Sequence, residues 1–238
     1  MLKKIWKIFV LLTLFFFIFT ILVVLIFRFL PIPTSSFMLQ QRITNLIDGN
    51  FNSINYDWVN YNEISNSAKL AVIAAEDQKF FDHYGFDFES IEKALKRNKR
   101  SKITRGASTI TQQTAKNLFL WSDKSYVRKG LEVYFSLLLE TLWSKKRILE
   151  VYLNIAEFGE NVYGVQASSR KFFNRDANKL TYQNAAMLAA VLPNPKKYKV
   201  NSLTNYRQRR VFWIQKQMRQ LGEGILENKS NEEVKNRK

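Results

Sequence analysis

Arg105-Gly106-Ala107-Ser108-Thr109-Ile110-Thr111-Gln112-Gln113-Thr114-Ala115-Lys116-Asn117 opens with a glycine and hydroxyl residues and continues with polar side chains three and four positions apart. This pattern predicts a helix capped by Ser108 and running through Leu120. In that helix Thr109, Gln112, Gln113 and Lys116 share one side, and Ile110, Thr114 and Leu118 another. The N–H groups of Thr109 to Thr111 would point at whatever precedes the helix, where the dipole favours an anion. A solvated surface helix carries the same kind of polar stripe, so periodicity alone leaves both readings open.

Working outward, the apolar run Leu70 to Ala75 leads into Glu76-Asp77-Gln78-Lys79-Phe80-Phe81-Asp82-His83-Tyr84-Gly85-Phe86-Asp87. A carboxylate behind such a run is partly desolvated, which disfavours its charge and suits it to proton transfer. Glu76 and Asp77 are also what an ordinary solvated helix end carries. The single histidine, His83, reads as a local hydrogen-bonding residue. In Arg128-Lys129-Gly130-Leu131-Glu132, the carboxylate lies one turn beyond two cations, the spacing of a helical ion pair.

The other signals are mostly helical. A start near Ser65 to Ser67 leads into Leu70 to Phe80, and Asp87 caps a helix through Leu95. Ser125 caps a long helix from Tyr126 to Trp143, Ser144 caps another, and Thr181 to Leu192 stops at Pro193-Asn194-Pro195. Lys96 to Lys102 reads as a loop. Tyr206 to Leu221 reads as a basic amphipathic helix with Phe212, Trp213, Met218 and Leu221 as its apolar residues, a terminal helix docked on the domain in preference to one lying on the membrane surface. Alternating strand patterns are scarce, so the expected fold is all-α or α-dominated.

Ile8 to Phe27 are 20 residues without a charge, enough helix to cross a hydrocarbon layer of about 30 Å. The run exceeds a typical signal-peptide core, and Arg28-Phe29-Leu30-Pro31 offers no small-residue cleavage site. Lys3, Lys4 and Lys7 precede the span and Arg28 follows it, which places the N-terminus in the cytoplasm and the rest outside. Without those four, 33 of the 37 basic residues face 20 acidic ones, a net charge of +13. An anionic membrane surface or a lipid-linked phosphate suits that charge, whereas nucleic acid lies on the wrong side of the membrane. The absence of cysteine and the single histidine argue against a cysteine- or histidine-built metal site.

The ordered segments Glu76 to Asp87, Arg105 to Gln113, Arg128 to Glu132 and Lys145 to Asn154, with a looser one around Gly159 to Ala167, resemble the motifs of the family 51 peptidoglycan glycosyltransferases. The likeness is to the monofunctional biosynthetic enzymes of Gram-negative bacteria. Pro31-Ile32-Pro33 and Ala190 to Pro195 extend it from the anchor to about Gly222. The resemblance implies a lysozyme-like domain that polymerises lipid II into β-1,4-linked glycan, inverting the donor's anomeric carbon and releasing polyprenyl diphosphate. It implies Glu76 as the base for the acceptor 4-hydroxyl and Glu132 as a second catalytic carboxylate at the donor diphosphate. Gln112, Gln113, Lys116 and Asn117 then bind donor, with Arg105, Ser108 and Thr109 close by and Arg128 and Lys145 adding charge.

The sequence itself requires no cofactor; a divalent cation, Mg or Mn, is what the resemblance adds. Expected partners are lipid II, the growing lipid-linked glycan, the membrane, and transpeptidases or division and elongation proteins. The expected layout is a cytoplasmic start at 1–7, an anchor at 8–27, a polar connector at 28–60, a catalytic domain at 61–222 and a polar tail at 223–238. The anchor would sit in the inner membrane and the domain in the periplasm. A lytic peptidoglycan hydrolase and a non-catalytic scaffold are the competing readings.

Overall fold

The computed structural model describes residues 2–99, 106–202 and 204–226. Arg105 and the tail from residue 227 lie outside the described residues. The fold is α-dominated. Helix α1, Leu2–Phe27, is long and apolar enough to cross a membrane, and most of its side chains are exposed. Its C-terminal half is fastened to the domain: the Thr20 hydroxyl lies 2.7 Å from the Tyr134 hydroxyl, the Trp143 indole N–H donates to the Val24 carbonyl at 2.8 Å, and Arg147 donates to the Phe27 carbonyl at 2.7 Å.

The segment expected to be a polar connector contains helix α2, Ser36–Ile47, capped by the Ser35 hydroxyl. Its apolar residues are spread around the helix, which hides the period in the sequence. Phe37 and Met38 pack inward, while Leu39, Ile43, Leu46 and Ile47 point outward. Strand β1, Asn55–Tyr56, follows, and then α3, Asn66–Glu76, capped by Ser65. Helix α3 ends four residues before the expected Phe80, because Asp77 turns out of helical geometry.

Helix α4, Phe88–Asn98, begins at its expected Asp87 cap and runs on through Lys96 and Arg97, which the sequence assigned to a loop. Helix α5 is Ile110–Phe119, and its cap is Thr109 rather than Ser108. Helices α6, Tyr126–Leu142, and α7, Lys145–Ile155, start at Ser125 and Ser144 as read. Strands β2, Glu157–Gly159, and β3, Val162–Tyr163, form a short hairpin with an irregular register. Strand β1 joins β3 in parallel, giving the order β1-β3-β2. Helices α8, Val165–Phe173, α9, Tyr182–Val191, and α10, Asn205–Leu221, complete the domain.

Two packing groups position the site. Helices α3, α9 and α10 pack together, and α5 lies against α6 and α7. Buried alanines at 71 and 74 on α3 and at 185, 186, 189 and 190 on α9 keep side-chain bulk low between these helices. Helix α10 docks as expected, but through Val211, Ile214 and Met218. Phe212 and Trp213, two of the apolar residues read for this helix, stay 67% and 40% exposed.

Candidate active site

The N-terminus of α5 holds an anion, and that anion belongs to the chain itself. The Ile110 N–H donates to the Asp77 carboxylate at 3.0 Å, and the same carboxylate lies 2.9 Å from His83 Nε2. Thr109 and Gln112 form a reciprocal capping box: the Gln112 N–H donates to the Thr109 hydroxyl oxygen at 3.2 Å, and the Thr109 N–H donates to the Gln112 side-chain oxygen at 3.0 Å. The Thr109 hydroxyl also donates to the Gly85 carbonyl at 2.7 Å. The expected ligand grip of free N–H groups is therefore corrected: Asp77 and Thr109 take up the start of α5, and Thr109 and Gln112 are buried in the joint. Through it the loop after α3 is locked to α5.

That joint sets Glu76 opposite the next turn of α5. Gln113 Nε2 donates to Glu76 Oε2 at 3.0 Å, and the Tyr152 hydroxyl donates to Gln113 Oε1 at 2.9 Å. The tyrosine thus fixes which end of the amide faces the carboxylate. Burial raises the pKa of Glu76 above the ordinary carboxylate range, while the Gln113 hydrogen bond and the Arg210 guanidinium pull it down. Arg210 Nη2 stands 3.7 Å from Glu76 Oε1. An environment of this kind keeps a carboxylate in place and leaves it eager for a proton.

Glu132 has the opposite surroundings. It is 3% exposed, with Arg128 Nη1 at 2.7 Å and Lys129 Nζ at 2.5 Å. Lys116, one turn along α5 from Gln113, is within electrostatic reach of both carboxylates. Burial lowers the pKa of Lys116, and the charges of Glu132, Arg128, Lys129 and Glu76 all reach it. Asn117 presents a buried side-chain oxygen without a hydrogen-bond partner.

Lys145 and Ser108 are the other expected residues among those described. Lys145 is buried 2.6 Å from Glu140, whose carboxylate also accepts the Thr111 hydroxyl at 2.6 Å. Through Glu140 these contacts brace α7 against α6 and α5. Ser108 lines a cavity of about 470 Å³ beside Glu76, together with Asp87, Lys93, Arg97 and Trp213. A larger cavity of about 620 Å³, between the β2–β3 hairpin and the segment 195–201, contains none of the expected site residues. The cavity beside Glu76 is the one that holds expected site residues.

No three His, Cys, Asp or Glu side chains among the described residues gather as a cation cage, and Glu132 is bracketed by two cations. The described residues do not fit a protein-held divalent ion. Three residues that sequence reading did not assign to the site are Tyr152, Arg210 and Trp213.

The transglycosylase family model matches residues 41–219, a span that contains both carboxylates, the whole of α5 and all but the last two residues of α10. The chain belongs to the transglycosylase family. It is 55% identical over 204 residues to the biosynthetic peptidoglycan transglycosylase of Pasteurella multocida, covering 85% of this chain and 83% of that one. It is 54% identical over 214 residues to the corresponding protein of Haemophilus influenzae strain Rd, covering 89% and 86%. With the Shigella sonnei protein of the same name the identity is 55% over 199 residues, covering 83% and 82%. This transglycosylase is an enzyme of glycosyl transfer, and its helical domain is lysozyme-like.

Proposed function

We propose that this transglycosylase builds peptidoglycan glycan strands for the cell wall by joining lipid II units, with Glu76 as the general base. The observation that carries the reading is the pair of unlike carboxylates, Glu76 on Gln113 and Glu132 on two cations, whose charges both reach Lys116. Glu76, buried on Gln113, takes the proton from the acceptor sugar's 4-hydroxyl. The oxygen attacks the donor's anomeric carbon from the face opposite the diphosphate, so a β-linked bond forms as the α-linked bond to phosphate breaks. Lys116, Asn117, Gln113, Arg128 and Glu132 form the donor side, where cations stabilise the charge that develops on the departing polyprenyl diphosphate.

Membrane placement follows from the same chemistry, since both substrates are lipid-linked. Helix α1 supplies one apolar span, and the outward face of α2 supplies Leu39, Ile43, Leu46 and Ile47. A single-pass inner-membrane anchor with the domain in the periplasm, and transpeptidases that cross-link the product, complete the proposal. Purified full-length protein given labelled lipid II should yield long glycan and free polyprenyl diphosphate. Shortening of preformed glycan without any polymer from lipid II would overturn it in favour of a hydrolase.

The environment of Glu76 gives a pH prediction. A base works deprotonated, so activity falls as pH drops through its raised pKa. The Gln113 hydrogen bond favours the charged form. Gln113→Ala should therefore move the acidic limb of kcat/KM to higher pH, and Tyr152→Phe should move it the same way by less. A pH–rate profile with an unmoved limb in both variants would remove Glu76 from the proton-transfer step.

A further inference from the structure

Helix α10 presents Arg210 and Trp213 to the cleft beside Glu76. Val211, Ile214 and Met218 bury the adjoining face of the helix, so the 40% exposure of the Trp213 indole is not a helix end hanging in solvent. The indole lines the same cavity of about 470 Å³ as Glu76, a volume in the range of small-ligand sites. Arg210 is wedged between them. Its Nη2 donates to the Ala75 carbonyl at 3.1 Å and stands 3.7 Å from Glu76, and its guanidinium carbon lies 5.0 Å from the Trp213 ring centroid. Its Nε is buried without a partner. Gln78 Nε2 donates to Gln217 Oε1 at 3.2 Å, so α10 is tied to the turn after the base at a second point.

A pyranose ring has an apolar face of C–H groups and a rim of hydroxyls. An exposed indole beside a catalytic carboxylate suits the first, and Asp87, Lys93 and Arg97 around the cavity suit the second and the substrate's negative charges. We propose that Trp213 is the stacking platform for the acceptor sugar, and that Arg210 is a positioning residue that holds both the indole and Glu76. This rests on the proposed function and adds a specificity-determining wall from α10 to it.

The test uses the full-length protein in detergent, with a preformed lipid-linked oligomer as donor and lipid II varied as acceptor. Trp213→Ala should raise the acceptor KM about tenfold, the loss of an interaction of ordinary stacking strength, with kcat changed by less than about threefold. Trp213→Phe, which keeps a ring face, should stay within about threefold of wild type. Arg210→Gln should raise the acceptor KM and also shift the acidic limb of the rate profile upward, and Arg210→Lys should restore much of that limb. A purely structural role would leave the limb where it was.

A folded Trp213→Ala protein with unchanged acceptor KM would overturn the platform, as would a variant whose sole defect is weaker partition into vesicles. Should Trp213→Ala fail to fold, Trp213→Leu makes the same test with apolar bulk and no ring. Failure of the wild type to polymerise lipid II would strike the function itself, whereas normal wild-type polymerisation with an unmoved KM in the variants strikes only the platform.

Discussion

Glu76→Gln is expected to lower lipid II polymerisation by about 10²- to 10⁴-fold, the usual contribution of a positioned general base, with the fold unharmed. Glutamine has the same shape, and its amide oxygen can still accept from Gln113 Nε2, now 3.0 Å from Glu76 Oε2. What it cannot do is take up a proton. The stability side has a definite sign. A carboxyl whose folded pKa is raised loses stability as pH rises above its unfolded pKa of about 4.3. At neutral pH the wild type carries that penalty and the glutamine variant does not. Its melting temperature should equal or exceed that of the wild type, and polymer yield and thermal melting measured on one preparation check both halves. A variant that polymerises at the wild-type rate would remove Glu76 as the base.

The parts of this architecture that could be read in advance depend on neighbours in sequence. Ser65, Asp87, Ser125, Ser144 and Thr181 each cap a helix through one local hydrogen bond to a backbone N–H three residues ahead, which a short window contains. The cap of α5 was legible too. Thr109-Ile110-Thr111-Gln112 is a hydroxyl residue followed three positions later by glutamine, the capping-box pattern, whereas Ser108 is followed at that distance by Thr111. Helical spacing had grouped Gln112 with Gln113 and Lys116, but as the third residue of the capping box it is buried under the cap.

Long-range packing was beyond the same reading. Asp77 fills the anion position of α5 across 33 residues, Tyr152 orients Gln113 across 39, and Arg210 reaches Ala75 across 135. Each of these residues has an ordinary local role in its own segment: a helix-end acid, an aromatic on an amphipathic helix, a base on a basic one. The polar stripe of α5 left a ligand face and a solvated face equally open, and it was the order of the motifs that favoured the first. Which side chains touch one another is a property of how α3, α5, α7 and α10 pack.

The looser fifth motif contains the second large effect. Gly164 has φ +84° and ψ 151°, a region essentially reserved for glycine, and a Cβ there would stand 2.6 Å from the Asn154 carbonyl oxygen. Backbone strain of about 1–3 kcal/mol and an overpacking cost of similar size both apply to Gly164→Ala, so a loss of about 3 kcal/mol or more is expected. For a chain of this size that is a fall of roughly 10 °C in melting temperature. The neighbouring backbone cannot give way freely. The Gly164 N–H donates to the Ala156 carbonyl at 2.9 Å, and Asn154 is held by paired 2.9 Å bonds to the N–H and carbonyl of Val59. Gly222 supplies the control. It shares the same backbone region at φ +69° and ψ 154°, but a Cβ there meets nothing within 4 Å. Gly222→Ala should therefore lower the melting temperature much less, and equal falls in the two variants would show that strain alone, without the Asn154 clash, accounts for the glycine at 164. The consequence for catalysis runs through α7. Gly164 closes the hairpin back onto the end of that helix, and α7 carries Tyr152, so loosening this turn should first release the hydroxyl that holds Gln113 against Glu76.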